Sequence, residues 1–386
     1  MSPNNDVQVR DRRSVEIAIF CALSLEADAM IARFDETWDH EKCDGDNNSY
    51  TLGRIGHHPV LLVHMPRIGK ASASSAAANL RLSFPHIRVG LLVGICAGVP
   101  KSRTSKRDII LGDVIVGTHI VQTDFGRLYP NGYVRKNTIQ DTLGRPSPEI
   151  AGFLSKLQGQ AVMTNIRDSM REDLTAFSQY PGPSKDRLFE SSYIHKHQDT
   201  KACLVCAKCT HPEDDVCPDT LNSSCVDLGC DLTRVIPRER IQTMENRGHA
   251  TPSYCPEVYF GGLASGDQVI KSALHRDRIA EKEDVIGFEM EAAGLWDTIP
   301  TIVVKGVCDY ADSHKDKEWH RYAAATAAAY VKAMLKIWCA TPTTTAEKLD
   351  REGLVSSPVS QIFSGNFTAG KNVHIGGTYN ANSMSF

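Results

Sequence analysis

The sequence predicts an α/β domain: a mixed central sheet flanked by helices, carrying a long mid-chain insertion. Three observations lead there. Short β-branched runs alternate with small-residue helical stretches from Val15 to Val116, the pattern of strands joined by crossover helices. The same alternation resumes after Pro256 and runs to Trp338. Between them, from about residue 127 to residue 254, the periodicity breaks into helical pieces, Pro/Gly interruptions and a cluster of cysteines.

In chain order, strands are expected at 15–23, 59–65, 89–95 and 109–117, because each is a short apolar run rich in Val, Ile and Leu. Helices are expected at 25–34 and 70–84, the second carrying the Ala/Ser-rich run KASASSAAANLRLSF. After the insertion come a strand (EVYFGGLAS), a helix (QVIKSALHRDRIAEK), a strand (DVIGF), a helix (EMEAAGLWD) and a strand (TIVVKGVC). A helix over 318–338 closes the domain. Three units are therefore expected: a disordered polar start (1–14), the domain itself (15–339), and a linker with a Gly/Asn-rich tail (340–386).

The 386 residues exceed what one core usually organises, but 41% are apolar, enough to bury a large one. The 43 Lys and Arg nearly balance 46 Asp and Glu, leaving a formal charge of -3. Bulk electrostatic binding to nucleic acid or an anionic membrane is thereby disfavoured. The apolar runs are broken by glycine far short of a membrane span. The polar start lacks the apolar middle of a secretory signal, so a cytoplasmic location is expected. In that compartment the sequons at Asn47, Asn222 and Asn366 are chance matches.

Candidate chemistry gathers at strand ends, where α/β sheets build their sites. KGVCDYADSHKD places Asp309 just beyond an apolar strand, where partial desolvation would suit a general acid. GFEMEAAG sets Glu289 and Glu291 at a strand-to-helix junction, and FCALSLEADAM sets Glu26 just after the first strand. Singly, each acid is well explained as a cap or loop residue. Together, acids at three strand ends of one sheet describe an acid/base site for cleaving a glycosidic bond. The turns VGICAGVP and GGLASGDQVI add glycines that let main-chain N–H groups approach a ligand. PRIGKAS hints at a phosphate loop, but His64 stands where that pattern needs its first glycine, which excludes an ATPase of the P-loop kind.

Taken in order, Glu26, PRIGK, GICAG, LGDVIV, ASGDQVI, FEMEA and KGVCDYAD resemble the purine and uridine phosphorylase superfamily, which includes nucleoside hydrolases that release adenine. The resemblance spans Val15 to Trp338, apart from most of the insertion, and implies a nucleoside-phosphorylase-like fold and a homo-oligomer. It implies that Asp309 protonates or hydrogen-bonds purine N7, that Glu291 holds ribose hydroxyls, and that Met290 lies against the sugar. It implies that Val269 and Ile270 pack on the base, and that Cys96, Ala97 and Gly98 line the substrate. Phosphorylases of this group carry a Gly-Asp-Pro-x-Arg type loop after the first strand; this chain has SLEADAM. Glu26 there suits a base for water better than a phosphate site. Lys305 matches a basic position where arginine is usual, keeping the charge but not the fork geometry.

VPKSRTSKRD offers Lys101, Arg103, Lys106 and Arg107 on one loop, which reads as a solvated loop or as a clamp for a 5′-polyphosphate. The wider pattern, with DRLFESSYIH, a Cys-x-x-Cys insertion and VIPRER, resembles the nucleosidase domains of fungal immune receptors, whose relatives cleave ATP to adenine and ribose 5′-triphosphate. The expected function is therefore an adenine-nucleotide N-glycosidase acting in defence. A purine nucleoside phosphorylase and a non-catalytic nucleotide-binding scaffold are the alternatives. No cofactor and no catalytic metal are expected. Cys203, Cys206, Cys209, Cys217, Cys225 and Cys230 fall in one segment. Two Cys-x-x-Cys spacings there, with His195 and His211 nearby, leave a structural metal, free thiols and a local disulfide open. The tail GNFTAGKNVHIGGTYN suits stacking of identical strands, which makes tail-mediated self-assembly an alternative to a flexible linker.

Overall fold

The computed structural model describes residues 12–101, 106–177, 179–246 and 255–338. Arg103 and the 340–386 tail lie outside them. The chain enters through β1 (Ile17–Cys21), α1 (Ser24–Ile31), β2 (Glu36–Trp38), β3 (Ser49–Ile55), β4 (His58–His64), α2 (Lys70–Ser83), β5 (Val89–Gly98) and β6 (Val114–Gln122). The hairpin β7 (Gly126–Tyr129) and β8 (Gly132–Arg135) precedes α3 (Pro148–Leu157), α4 (Gln160–Phe177), α5 (Leu204–Lys208) and α6 (Glu239–Asn246). The sheet resumes with β9 (Val258–Ser265), α7 (Ala273–Glu283), β10 (Val285–Glu289), α8 (Ala292–Leu295), β11 (Thr301–Asp309) and α9 (His320–Leu335).

Nine strands form one mixed sheet in the order β10-β9-β6-β11-β5-β1-β4-β3-β2, and β10 also pairs with the end of β5. That extra pairing, Gly287 with Gly98 and Phe288 with Ala97, closes β5, β11, β6, β9 and β10 into a ring. Strands β4, β1, β5 and β11 run parallel, so their carboxyl ends share one edge. The expected mixed α/β architecture is what the chain adopts.

Both sheet faces are covered, which is why the strands read as continuous apolar runs. Ile17, Ile19 and Cys21 point into one core cluster with Tyr330 and Met334 of α9, while Ala18 and Phe20 point into the other with Ala73, Ala77 and Leu80 of α2. Helix α9 is rich in alanine and lies very close to β11. A Cβ at Gly306 would overlap the carbonyl of Ala323, so a glycine is needed at that crossing. Helices α3 and α4, though inside the irregular segment, put Phe153, Leu157, Ile166 and Met170 into the first cluster. The buried Arg33–Asp173 pair, 2.9 Å apart, ties α4 to the loop after α1.

Several boundaries differ from the sequence reading; among them, the helix expected over 268–282 starts only at Ala273, so Val269 and Ile270 stand in the loop before α7. Strands β2 and β3 were not expected; β2 is the polar edge strand, and β3, which buries Tyr50, Leu52 and Ile55, returns against β4 through a turn at Gly56. The strand expected at 109–117 starts only at Val114, because Gly112 (φ 88°) turns the chain first. The helix expected from Glu289 shrinks to Ala292–Leu295, because Glu289 still belongs to β10, aligned with Ser265 of β9.

Candidate active site

Glu26 sits in the first turn of α1 and turns back under β1. Its carboxylate accepts N–H bonds from Ala22 (3.0 Å), Leu23 (2.9 Å) and, across the sheet, Ile95 (2.8 Å). It is 3% exposed. Burial pushes its carboxyl above the ordinary glutamate range, against the pull of the Lys305 ammonium and those backbone donors. Gly94, aligned with Lys305 across β5 and β11, makes room for it: a Cβ there would overlap the Glu26 carboxylate.

Lys305 rises from the middle of β11 and is 1% exposed. Its Nζ lies 3.0 Å from Glu291 Oε2 and 3.7 Å from Glu289 Oε2. Burial opposes its charge, but Glu291, Glu289 and Glu26 outweigh that and raise its pKa. Glu291 also accepts the Gly69 N–H at 3.3 Å, which ties the PRIGK turn to the FEMEA junction. Burial works against the Glu291 charge too, yet Lys305 and the backbone donors hold its carboxyl below the usual range. Glu289 is different. One of its oxygens accepts from the N–H groups of Glu291 and Ala292, both at 2.9 Å, while the other, Oε1, is buried without a hydrogen-bond partner. Burial raises its pKa.

Asp309 ends β11, four residues beyond Lys305. Its Oδ1 accepts from the Ala311 N–H at 2.8 Å, while Oδ2 lies 3.4 Å from Lys315 Nζ and 3.5 Å from Cys308 Sγ. It lines a cavity of about 100 Å³ with Arg187, Tyr310, His314 and Lys315. Cys96 connects the two parts of the site: its buried thiol feels the charges of Lys305, Asp309, Glu289 and Glu26 together. Glu26, Glu289, Glu291 and Lys305 are thus brought together, while Asp309 lies four residues further along β11 and lines its own cavity.

The remaining candidates are more dispersed. Cys96, Ala97 and Gly98 form the end of β5, where it meets both β11 and β10. Ile270 packs with Val99, Phe288 and Ala311 beside that junction; Val269 is 53% exposed. Met290 is half-buried between Glu289 and Glu291. Arg107 is exposed and lines a separate cavity of about 1440 Å³ with Lys101, Lys106, Arg171, Arg238 and Tyr259. Glu26, Glu291, Lys305 and Asp309 are not among the residues lining it. Sequence reasoning missed Lys315 and His320, whose side chains lie near Asp309. Lys315 lies in the loop between β11 and α9 and His320 is the first residue of α9, and only the fold shows that this loop doubles back.

Among the described residues, no helix is long and apolar enough to cross a membrane. No protein-family model matches the chain. It is 31% identical over 330 residues to a nucleotide-binding leucine-rich repeat (NLR)-like protein of Hyaloscypha variabilis, a match that covers 82% of this chain but 29% of that protein. The chain therefore corresponds to less than a third of that relative's length. Among solved structures it is similar to a 5′-methylthioadenosine/S-adenosylhomocysteine nucleosidase from Neisseria meningitidis, with TM-score 0.48, 16% identity, and coverage of 84% of this chain and 99% of that one. It is also similar to the futalosine hydrolase of Helicobacter pylori, with TM-score 0.47, 13% identity, and coverage of 85% and 100%. The corresponding nucleosidase of Streptococcus pneumoniae gives TM-score 0.49, 16% identity, and coverage of 84% and 100%. The chain is thus similar to proteins of the two groups its motifs resemble, nucleosidases and NLR-like proteins.

Proposed function

We propose that the chain hydrolyses the N-glycosidic bond of an adenine nucleotide, converting ATP to adenine and ribose 5′-triphosphate. One observation supports this above the rest: a buried lysine holds Glu291 ionised while burial keeps Glu26 easier to protonate, with Asp309 at the end of the same strand. Acids whose environments push their affinities for a proton apart can take separate roles.

Asp309 gives a proton to purine N7 as the bond between the base and ribose C1′ breaks. Glu26 takes a proton from the water whose oxygen bonds to C1′. Glu291 accepts hydrogen bonds from ribose hydroxyls and opposes the positive charge that grows on the sugar. Lys305 keeps Glu291 charged. Lys101, Lys106 and Arg107, the cations expected to clamp a 5′-polyphosphate, line the separate cavity and have no part in this scheme. Likeness to an NLR-like protein supports a role as a defence effector, and the resemblance to nucleosidases supports self-association.

The test is chromatography of ATP, adenosine and methylthioadenosine after incubation with the protein, with and without inorganic phosphate. Adenine release from ATP without phosphate is expected. A strict need for phosphate would make the chain a phosphorylase, and ATP binding with no adenine released would make it a scaffold. Asp309→Asn should abolish adenine release while circular dichroism stays native; near-normal turnover would remove Asp309 from the mechanism.

A further inference from the structure

The cysteine segment folds into two separate ligand clusters that its linear spacing does not reveal. In the first, ligand atoms of His197, Cys203, Cys206 and Cys217 all lie within 4.8 Å of one another. His197 Nδ1 is 3.6 Å from Cys206 Sγ and 3.5 Å from Cys217 Sγ. In the second, His195, Cys230 and His314 also meet within 4.8 Å, with Cys230 Sγ 3.5 Å and Cys225 Sγ 3.8 Å from His195 Nδ1. Along the chain the first cluster is nested between His195 and Cys225 of the second, and the two share no residue.

These separations suit a tetrahedral ion. Zinc–sulfur bonds of about 2.3 Å and zinc–nitrogen bonds of about 2.0–2.1 Å at tetrahedral angles put sulfur and nitrogen about 3.6 Å apart. The surroundings fit as well. His195 Nε2 lies 3.0 Å from the Ser223 carbonyl, a contact that fixes the proton on Nε2 and leaves the Nδ1 lone pair facing the sulfurs, as in histidine ligands generally. His314 Nε2 is buried with no hydrogen-bond partner. Lys196 donates to the carbonyls of Cys206 and Cys209, at 2.9 and 2.6 Å, and places a positive charge beside a cluster that three thiolates would leave negative. Cys209 stays outside both sets; its thiol points to the carbonyls of Val205 and Asp215. Among the described residues every cysteine is free, and three cysteines converging on one histidine leave a thiol over in any disulfide pairing.

We infer that the insertion holds two structural zinc ions, one bound by His197, Cys203, Cys206 and Cys217 and the other by His195, Cys225, Cys230 and His314. Thiolate and imidazole ligands in a tetrahedral set select zinc over the hard cations. Four protein ligands leave no open position, so the ions are structural and take no part in bond cleavage. The second ion has a further consequence. Three of its ligands belong to the insertion, but His314 lies five residues after Asp309, on the loop that follows β11. That ion clamps the insertion to the loop extending from Asp309.

The inference does not depend on the proposed reaction. The full chain, expressed in zinc-supplemented medium and purified without chelator, is to be measured by plasma mass spectrometry for zinc. One ion for each cluster is expected, with the cluster thiols slow toward a thiol reagent until a strong chelator strips the metal. Cobalt exchanged into the unaltered chain should show intense thiolate-to-cobalt charge-transfer bands, a readout that needs no variant. Cys217→Ala should lose one ion and keep the other; Cys230→Ala and His314→Ala should each lose the second and keep the first. A chain with no bound zinc, freely reactive or disulfide-paired thiols and no cobalt charge-transfer band would overturn the inference. Loss of both ions in every single variant would overturn the assignment to two independent sites.

Discussion

At the scale of single residues, the site turns on one buried ammonium. Lys305 is nearly inaccessible and faces two carboxylates, so removing its charge strands both acids in a low-dielectric interior. Breaking a buried pair on one side typically costs about 3–5 kcal/mol. Lys305→Met should therefore lower stability by about that amount in urea unfolding at neutral pH, with a smaller loss on acidification as the carboxyls protonate. A pH-independent loss would mean the charge is not what matters. Glu26 gives the second residue-scale expectation. Its pKa is raised by burial, and a base must be ionised to work, so kcat/KM should fall on the acid side through an apparent pKa above about 4.3, the ordinary glutamate value. Glu26→Gln should remove that limb and lower the rate by about 10²–10⁴. An acid limb unchanged in Glu26→Gln would assign it to another group. Glu26, Glu291 and Asp309 were legible because each stands at a strand end or a junction, whereas Lys305, in the middle of β11, was legible only through the motif resemblance. The protonation bias of Glu26, Glu291 and Lys305 was not, because it depends on neighbours brought in from other strands.

Elements supply the space these residues need. Strand β5 reaches the site only because Gly94 lacks a side chain: the position a Cβ would take is filled by the Glu26 carboxylate. Gly94→Ala must displace Glu26 from the N–H groups of Ala22, Leu23 and Ile95. The expected result is a loss of kcat similar to that of Glu26→Gln, with the sheet intact by circular dichroism; unchanged kcat would show that Glu26 does not act from this position. The parallel strands were readable from their unbroken apolar runs, since burial on both faces leaves no polar alternation. Strands β2 and β3 were not, because their edge carries polar residues such as Glu36 and Arg54, joined to each other at 2.5 Å. Helices α3 and α4 escaped assignment to the core for a different reason. The partners of their apolar stripes, α9 and Trp338, come from the far end of the chain.

For the whole domain, the insertion is better understood as a brace on the end of β11 than as an appendage. Asp186 is buried and accepts from the Leu111 N–H at 2.8 Å, from the Tyr310 hydroxyl at 2.8 Å and from the Arg238 guanidinium. Arg238 donates in turn to the Tyr310 hydroxyl at 2.6 Å and to the Ile109 carbonyl at 3.2 Å. Tyr310 is the neighbour of Asp309, so this network fixes the backbone beside the proposed acid, while His314, in the middle of the same loop, meets His195 and Cys230 of the insertion. The spacing of DRLFESSYIH and VIPRER in the sequence marks no such contact; it arises because two distant segments fold against one tyrosine. Arg238→Met leaves Asp186 buried with its charge opposed only by neutral donors. It should destabilise the domain by about 3–5 kcal/mol and, in hydrogen exchange, speed the amides of 310–316 more than those of β1 and β4. Uniform acceleration across the sheet would mean that Arg238 supports global stability alone. No acceleration at 310–316 would mean that the insertion does not brace the β11 end.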